Sequence, residues 1–395
     1  MSALKFHWFL PTYGDSRYIV GGGHGLPAGV AGGARPATLA YLGQIARSAE
    51  QLGYVGALTP TGAWCEDAFI VDSMLASVTE TFKFLVAIRP GLISPTLAAQ
   101  MAASFQRYSN GRLLLNVVVG GEPHEQRAYA DFSDKAERYE RADEFLQIVR
   151  ALWERPNVNF NGRYYQVENA TLPSRPDLLP PLYIGGSSAG AGPVTARHID
   201  VYLTWGEPTP AVVEKITRVR ALAAAEGRTV RFGIRLHVIT RDTAEAAWAE
   251  ANRLLAAIDP ATIKSVQVGL ARSEGEGQKR MLALHQGSSA NLEIEPNLWA
   301  GFGLVRGGAG TALVGSHTEI ASKIKAYAAL GIEEFVLSGV PHLEEAYWFA
   351  EGVLPLLRKE GLWSHPRGET VSASHVDIPF SPAATRTSVA ALAAS

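Results

Sequence analysis

Eight short apolar runs recur along this chain of 395 residues, separated by Ala-rich segments of helical period. The runs are Leu4–Leu10, Val55–Thr59, Lys83–Arg89, Leu113–Val119, Leu182–Ile184, Val201–Thr204, Arg231–Ile239 and Glu334–Leu337. Near-continuous Val, Ile, Leu and Phe suit strands buried on both faces, and their alternation with helices predicts repeated βα units and a parallel sheet. Amphipathic segments at Leu39–Leu52, Asp67–Val78, Thr96–Tyr108, Asp134–Leu152, Pro210–Glu226, Ala244–Ala257 and Thr318–Ala329 supply the helices. Eight units are the number of an α/β TIM barrel, and barrels with insertions reach this length as one domain.

Three segments break the rhythm and read as insertions into a barrel spanning residues 1–360. Gly21–Pro36 is Gly/Ala/Pro-rich and reads as a loop after the first strand. Pro156–Pro181 carries Asn161-Gly162 between aromatic and β-branched residues, a hairpin signal. Pro260–Gly303 is long and mixed, a candidate lid or subunit contact. Residues 361–395 turn Pro/Ser/Ala-rich and read as a tail.

Composition narrows the function classes. A formal net charge of -2 gives no global attraction to nucleic acid or an anionic membrane, so any cationic character that matters is local. The longest apolar runs are too short to cross a bilayer, and MSALKFHWFLP has no signal-peptide layout, which predicts a soluble, cytoplasmic protein. A single cysteine, Cys65, leaves no internal disulfide and no multi-cysteine metal site. There is no H-x-H at Phe6-His7-Trp8, no H-E-x-x-H and no G-x-S-x-G.

A parallel barrel gathers the carboxyl ends of its strands at one mouth, and several unusual residues fall at those ends. Arg235 and His237 lie two apart on one strand and so share a face. A buried Arg is costly unless it meets an anion; the alternative is a structural ion pair with Glu66 or Asp67. Arg306 heads the glycine-rich RGGAGTALVG, either a closing loop or a turn with a solvated Arg. Cys65 and Trp205 each follow a strand end and are pocket residues or plain packing. Gly186, Ser187 and Ser188 lie in YIGGSSAGAG, between a strand and a helix, where backbone N–H groups and hydroxyls hold a single phosphate or merely make a tight turn. These positions predict a cationic mouth that can take an anion.

With FHWFLPTYGD, PTGAWCEDAF, SNGRLLLNVVVGGEP, PPLYIGGSS, VYLTWGEP, RFGIRLHVI, NLWAGFGLVRGGAGTALVG and SGVPHLEEAY in order, the chain resembles the FMN-dependent alkanesulfonate monooxygenases of the bacterial-luciferase-like superfamily. The resemblance spans about residues 4–358. It implies a luciferase-like barrel that takes reduced FMN from a separate NAD(P)H-dependent flavin reductase. Such an enzyme uses O2 to cleave the carbon–sulfur bond of a sulfonate, giving an aldehyde and sulfite, and a homodimer or homotetramer is the expected assembly. Carried over by position, Cys65, Arg235, His237, Arg306 and Trp205 fall on catalytic or cavity positions. Asn116 and Tyr139 match positions near the flavin, and Gly186, Ser187 and Ser188 match its phosphate turn.

The chain departs from the family pattern at Val340, where a tyrosine is usual, at Ala63, Trp64 and Val119, and in the long Gly21–Pro36 segment. Val340 is expected to remove a phenol and enlarge the pocket, which points to a larger hydroxylated sulfonate such as the sulfosugar sulfoquinovose. The expected mechanism has Arg235 and Arg306 gripping the sulfonate and His237 transferring protons near neutral pH. A non-catalytic FMN-binding relative and a metal-dependent barrel hydrolase are the alternatives from other classes.

Overall fold

The computed structural model describes residues 3–19 and 34–368. Eight parallel strands form its frame: β1 (Lys5–Phe9), β2 (Gly56–Thr59), β3 (Lys83–Ile88), β4 (Leu113–Val117), β5 (Leu182–Gly185), β6 (Val201–Trp205), β7 (Arg231–Arg241) and β8 (Ile332–Ser338). Each pairs with the next in sequence, and β8 returns to β1 with Lys5 opposite Glu334 and His7 opposite Val336, so the sheet closes into a barrel. All eight expected strands are present.

Period-two alternation sorts each strand into an outer and an inner face. On β7, Phe232, Ile234, Leu236 and Val238 join the main core between barrel and helices. Arg231, Gly233, Arg235 and His237 take the other parity and run along the barrel interior toward the mouth. The middle of the interior is apolar, formed by Leu85, Leu114, Tyr183, Val201, Leu203 and Val336. Below it lies a polar layer around Glu334, which is fully buried. Its carboxylate meets His7 Nε2 at 3.1 Å, accepts from the Tyr183 hydroxyl at 2.8 Å and pairs with Arg231 and Lys5.

The strand β7 is long enough to pair twice along one edge. Its first half meets β6, from Arg231 opposite Val201 to Arg235 opposite Trp205. Its second half meets an additional parallel strand, Ala312–Ser316, beginning with His237 opposite Ala312. This strand was hidden within a segment that reads as a glycine-rich loop. It continues the sheet above β6 and anchors the end of the Arg306 loop.

The helices are closed by local signals that the sequence carries. Thr38 caps the helix Leu39–Leu52, and Gly53 ends it at φ 91°, a left-handed conformation that suits glycine. Asp134 and Glu137 form a reciprocal capping box at the start of Lys135–Glu154, and Ser316 with Glu319 does the same for His317–Ala329.

The insertion at 156–181 contains the expected hairpin, Val158–Asn161 with Gln166–Ala170. Its connection is Gly162–Tyr165 rather than a two-residue Asn-Gly turn. The Glu144 carboxylate accounts for the difference, accepting the N–H groups of Arg163, Tyr164 and Tyr165 at 2.7–3.1 Å and so organising a wider loop. Residues 260–303 are not structureless: they fold into the helices Pro260–Leu270 and Glu276–His285, two short strands and a 3-10 turn. At the far end, Trp363 is buried in the main core, so the chain remains packed past Gly361. Most of Gly21–Pro36, and the tail beyond Gly368, lie outside the described residues. No helix among the described residues is long and apolar enough to cross a membrane.

Candidate active site

The carboxyl ends of the strands open into one cavity. Its apolar walls include Phe9, Leu58, Trp64 and Val119, while Arg235 and Arg306 supply its cationic side and His237 also lines it. Asn116, Tyr139, Trp205 and the Gly186-Ser187-Ser188 turn complete the ring, so nine of the sequence-designated residues line one space although they span almost two hundred positions. Cys65 is not among the lining residues. It packs with Phe9, Tyr13, Leu58 and Trp64, and burial pushes its thiol up to about 12, so it is an un-ionised thiol at neutral pH.

Arg235 and Arg306 are each buried, 8% and 5% exposed, and neither forms an ion pair with a carboxylate among the described residues. Glu66 and Asp67 do not serve as partners; Asp67 instead caps the helix Ala68–Leu75. The Arg235 guanidinium donates to Ser338 Oγ at 2.8 Å and to the Leu236 carbonyl, and sits 4.8 Å from the centre of the Phe9 ring. Burial, and then the neighbouring Arg306 charge, push Arg235 down to about 9, which still leaves it ionised at neutral pH. Arg306 donates to the Tyr13 hydroxyl and lies 5.0 Å from that ring's centre. Two desolvated cations close enough to disfavour one another are a site with a deficit of negative charge.

His237 is 1% exposed and stacked flat on Phe302, with ring centres 4.0 Å apart. Because Ser338 Oγ accepts from Arg235, its own hydrogen is available to His237 Nδ1 at 2.7 Å, and the Ala309 carbonyl engages the ring from the Arg306 loop. That arrangement fixes the neutral tautomer carrying hydrogen on Nε2. Burial, Arg235 and Arg306 hold the imidazole well below its ordinary value. The expectation that His237 titrates near neutrality is therefore corrected: in this cavity it is a neutral hydrogen-bonding group.

The Arg306 segment is closed and tethered. The Gly308 N–H donates to Gln278 Oε1 at 2.9 Å, and Gln267 Nε2 donates to the carbonyls of Gly303 and Leu304. Both glutamines come from the two insertion helices, which bring Ser273, Glu276 and Gln278 over the cavity. Across the opening, Ser273 Oγ meets the buried Glu122 carboxylate at 2.5 Å, and the Glu274 N–H donates to the Gly121 carbonyl. Gly277 allows this roof to approach, because a Cβ there would stand 3.0 Å from the Trp205 ring.

The roof is fastened by Arg280, whose guanidinium donates twice to Glu207 at 2.9 and 3.0 Å. Glu207 is 2% exposed and also pairs with the buried Lys215. Arg280→Ala leaves that second pair in place, so it is expected to loosen the roof without unfolding the barrel. Amide exchange across Glu276–His285 should quicken by roughly tenfold while the melting temperature barely moves. Unchanged exchange would show that the bidentate contact does not hold the helix down.

At the opposite side, Tyr202 donates to the Gly186 carbonyl at 2.6 Å, and Tyr139 shares a hydrogen bond with Ser188. Burial raises Tyr139 above the usual phenol value. The half-buried Asn116 points inward from β4, and its Oδ1 has no partner among the described residues. Val340, by contrast, does not line the cavity; it packs with Phe302, Trp299 and Ile239, so its expected enlargement of the pocket is not observed. Tyr13, Ser338, Glu122 and the roof residues were not singled out by sequence, since each acquires its place only through a distant partner. Among the described residues no three His, Cys, Asp or Glu side chains cluster as metal ligands.

The sequence profile of the family described as "Luciferase-like monooxygenase" matches residues 4–334. The chain belongs to the luciferase-like monooxygenase family. The chain is similar in structure to a riboflavin lyase, at 20% identity with a TM-score of 0.75, covering 92% of this chain and 93% of the other. DmoA from Hyphomicrobium sulfonivorans gives 19% identity and a TM-score of 0.75, covering 92% of this chain and 89% of that one. The EDTA monooxygenase of Chelativorans sp. BNC1 gives 17% and 0.69, covering 93% and 96%. At these identities the likeness is one of fold.

Proposed function

We propose that this chain is a two-component, FMN-dependent monooxygenase that cleaves the carbon–sulfur bond of an organosulfonate, releasing sulfite and an aldehyde. The observation that carries the reading is the pair of buried guanidiniums, Arg235 and Arg306, facing one cavity with no carboxylate paired to either among the described residues. A sulfonate is anionic at every working pH and offers three oxygens to such a pair. Each charge-assisted contact stabilises it by about 1.5–3 kcal/mol.

The residues present fit a singly phosphorylated flavin. Asn116 Oδ1 is a buried acceptor in need of a donor, which a flavin ring N–H supplies. Ser187 and Ser188, beside Tyr139 at a helix start, suit the phosphate. The riboflavin lyase of similar fold is described with modified FMN, which supports the same class of cofactor. When bound, reduced FMN supplies the electrons with which O2 is activated; a separate flavin reductase is its proposed source.

The chain's own part is binding, orientation and exclusion of water. Arg235 and Arg306 fix the sulfonate end, Trp205 and Trp64 provide walls, and the roof from residues 260–303 covers the opening. Neutral His237, held by Ser338 and the Ala309 carbonyl, lines the site without adding a third charge. Ser273, Glu276, Gln278 and Glu122 add a polar border that suits hydroxyl groups, which supports a hydroxylated substrate such as sulfoquinovose. The test supplies reduced FMN and O2 with a panel of sulfonates and measures sulfite. The reading expects sulfite from at least one sulfonate and faster release from the sulfosugar than from octanesulfonate. No sulfite from any of them would overturn it, and equal or faster release from octanesulfonate would remove the sulfosugar assignment.

A further inference from the structure

The loop after β1 brings Tyr13 to the same guanidinium that the Arg306 segment delivers, from a position 293 residues away. Tyr13 is 5% exposed, its ring lies 5.2 Å from that of Trp64 and 6.3 Å from that of Phe9, and both neighbours line the cavity. The hydroxyl oxygen accepts from Arg306, which leaves its hydrogen free, and that hydrogen has no acceptor among the described residues. Burial raises the phenol above its usual value even though Arg306 and Arg235 act to lower it, so the hydrogen is retained at neutral pH. A buried O–H donor without an acceptor, set against two cations without an anion, is one unfilled arrangement rather than two.

We propose that the Tyr13 hydroxyl is the third donor of the oxoanion site, bonding a sulfonate oxygen beside Arg235 and Arg306. The inference rests on the guanidinium-pair reading of the site. Arg306 plays two parts, since its ring contact and hydrogen bond hold the phenol and its remaining N–H groups face the anion. Selectivity follows from the count, because a tetrahedral oxoanion can accept from all three donors and a planar carboxylate, with two oxygens, fills the site less completely.

The test is calorimetric titration of the full-length, flavin-free protein with inorganic sulfate, together with near-ultraviolet difference spectra. Wild type should bind sulfate with a red-shifted tyrosine band, Arg306→Ala should lose most of that binding, and Tyr13→Phe should bind about tenfold more weakly with the band absent. Circular dichroism confirms that each variant is folded. If Tyr13→Phe binds as wild type does while Arg306→Ala does not, the hydroxyl is no donor and the proposal is overturned, with the guanidinium reading intact. If Tyr13→Phe weakens binding but wild type gives no tyrosine band, the residue acts only through Arg306 and the donor role is likewise overturned. If Arg306→Ala binds as tightly as wild type, the guanidinium reading itself fails.

Discussion

Arg306→Ala is expected to reduce sulfite release at limiting sulfonate by about a hundredfold or more, with the barrel intact by circular dichroism. The size follows from burial. Arg306 lies in a closed segment with its charge uncompensated by any carboxylate among the described residues, so an anion arriving there gains an interaction that solvent does not screen. Arg306→Lys keeps the charge but loses the planar fork, and its loss should be intermediate. Turnover equal to wild type in the alanine variant would remove Arg306 from the anion site, whatever the flavin chemistry.

The second large effect concerns the barrel floor. Glu334→Gln is expected to cost about 3 kcal/mol, because it strips the buried partner from His7 and the partly buried Arg231, with the exposed Lys5 adding little. Although burial works to raise the Glu334 carboxyl, its hydrogen bond with His7 and the nearby charges of Arg231 and Lys5 hold it well below the usual carboxylate range. Its folded value is thus lower than its unfolded one. The stabilisation is therefore complete above an unfolded value of about 4.3 and is lost as the pH falls below it. Asp15 behaves in the same direction: its carboxylate is also held low, against burial, by His342 and Tyr41. Urea unfolding measured from pH 3 to 7 should show wild-type stability dropping through the acid range and a shallower drop in Glu334→Gln. Parallel curves would mean that Glu334 contributes nothing to the acid sensitivity.

How far the sequence discloses this molecule depends on how local each signal is. The eight barrel strands were legible because strands buried on both faces must be almost wholly apolar, as in Phe84, Leu85, Val86 and Ala87. The helix Glu276–His285 was not legible, since its buried side is Gln278, Met281 and His285, a thin and largely polar stripe. Ala312–Ser316 is short and follows Gly308 and Gly310, so glycine chemistry obscured a strand. At the site, the inward parity of Arg235 and His237 followed from their spacing on one strand. The protonation of His237 did not, because it is set first by burial and then by Arg235 and Arg306, and only the closed barrel buries the ring and brings Arg306 near. Tyr13 was not legible for the same reason: a tyrosine after a strand has no distinguishing local signal, and only the fold sets Arg306 against it.

The most direct measurement is a crystal structure of the full-length protein with FMN and a non-turning-over sulfonate, collected without reductant. The sulfonate oxygens are expected within hydrogen-bond distance of the guanidiniums of both Arg235 and Arg306, with the flavin phosphate at Ser187 and Ser188. A sulfonate seated elsewhere, with those two guanidiniums still unengaged, would contradict the anion clamp.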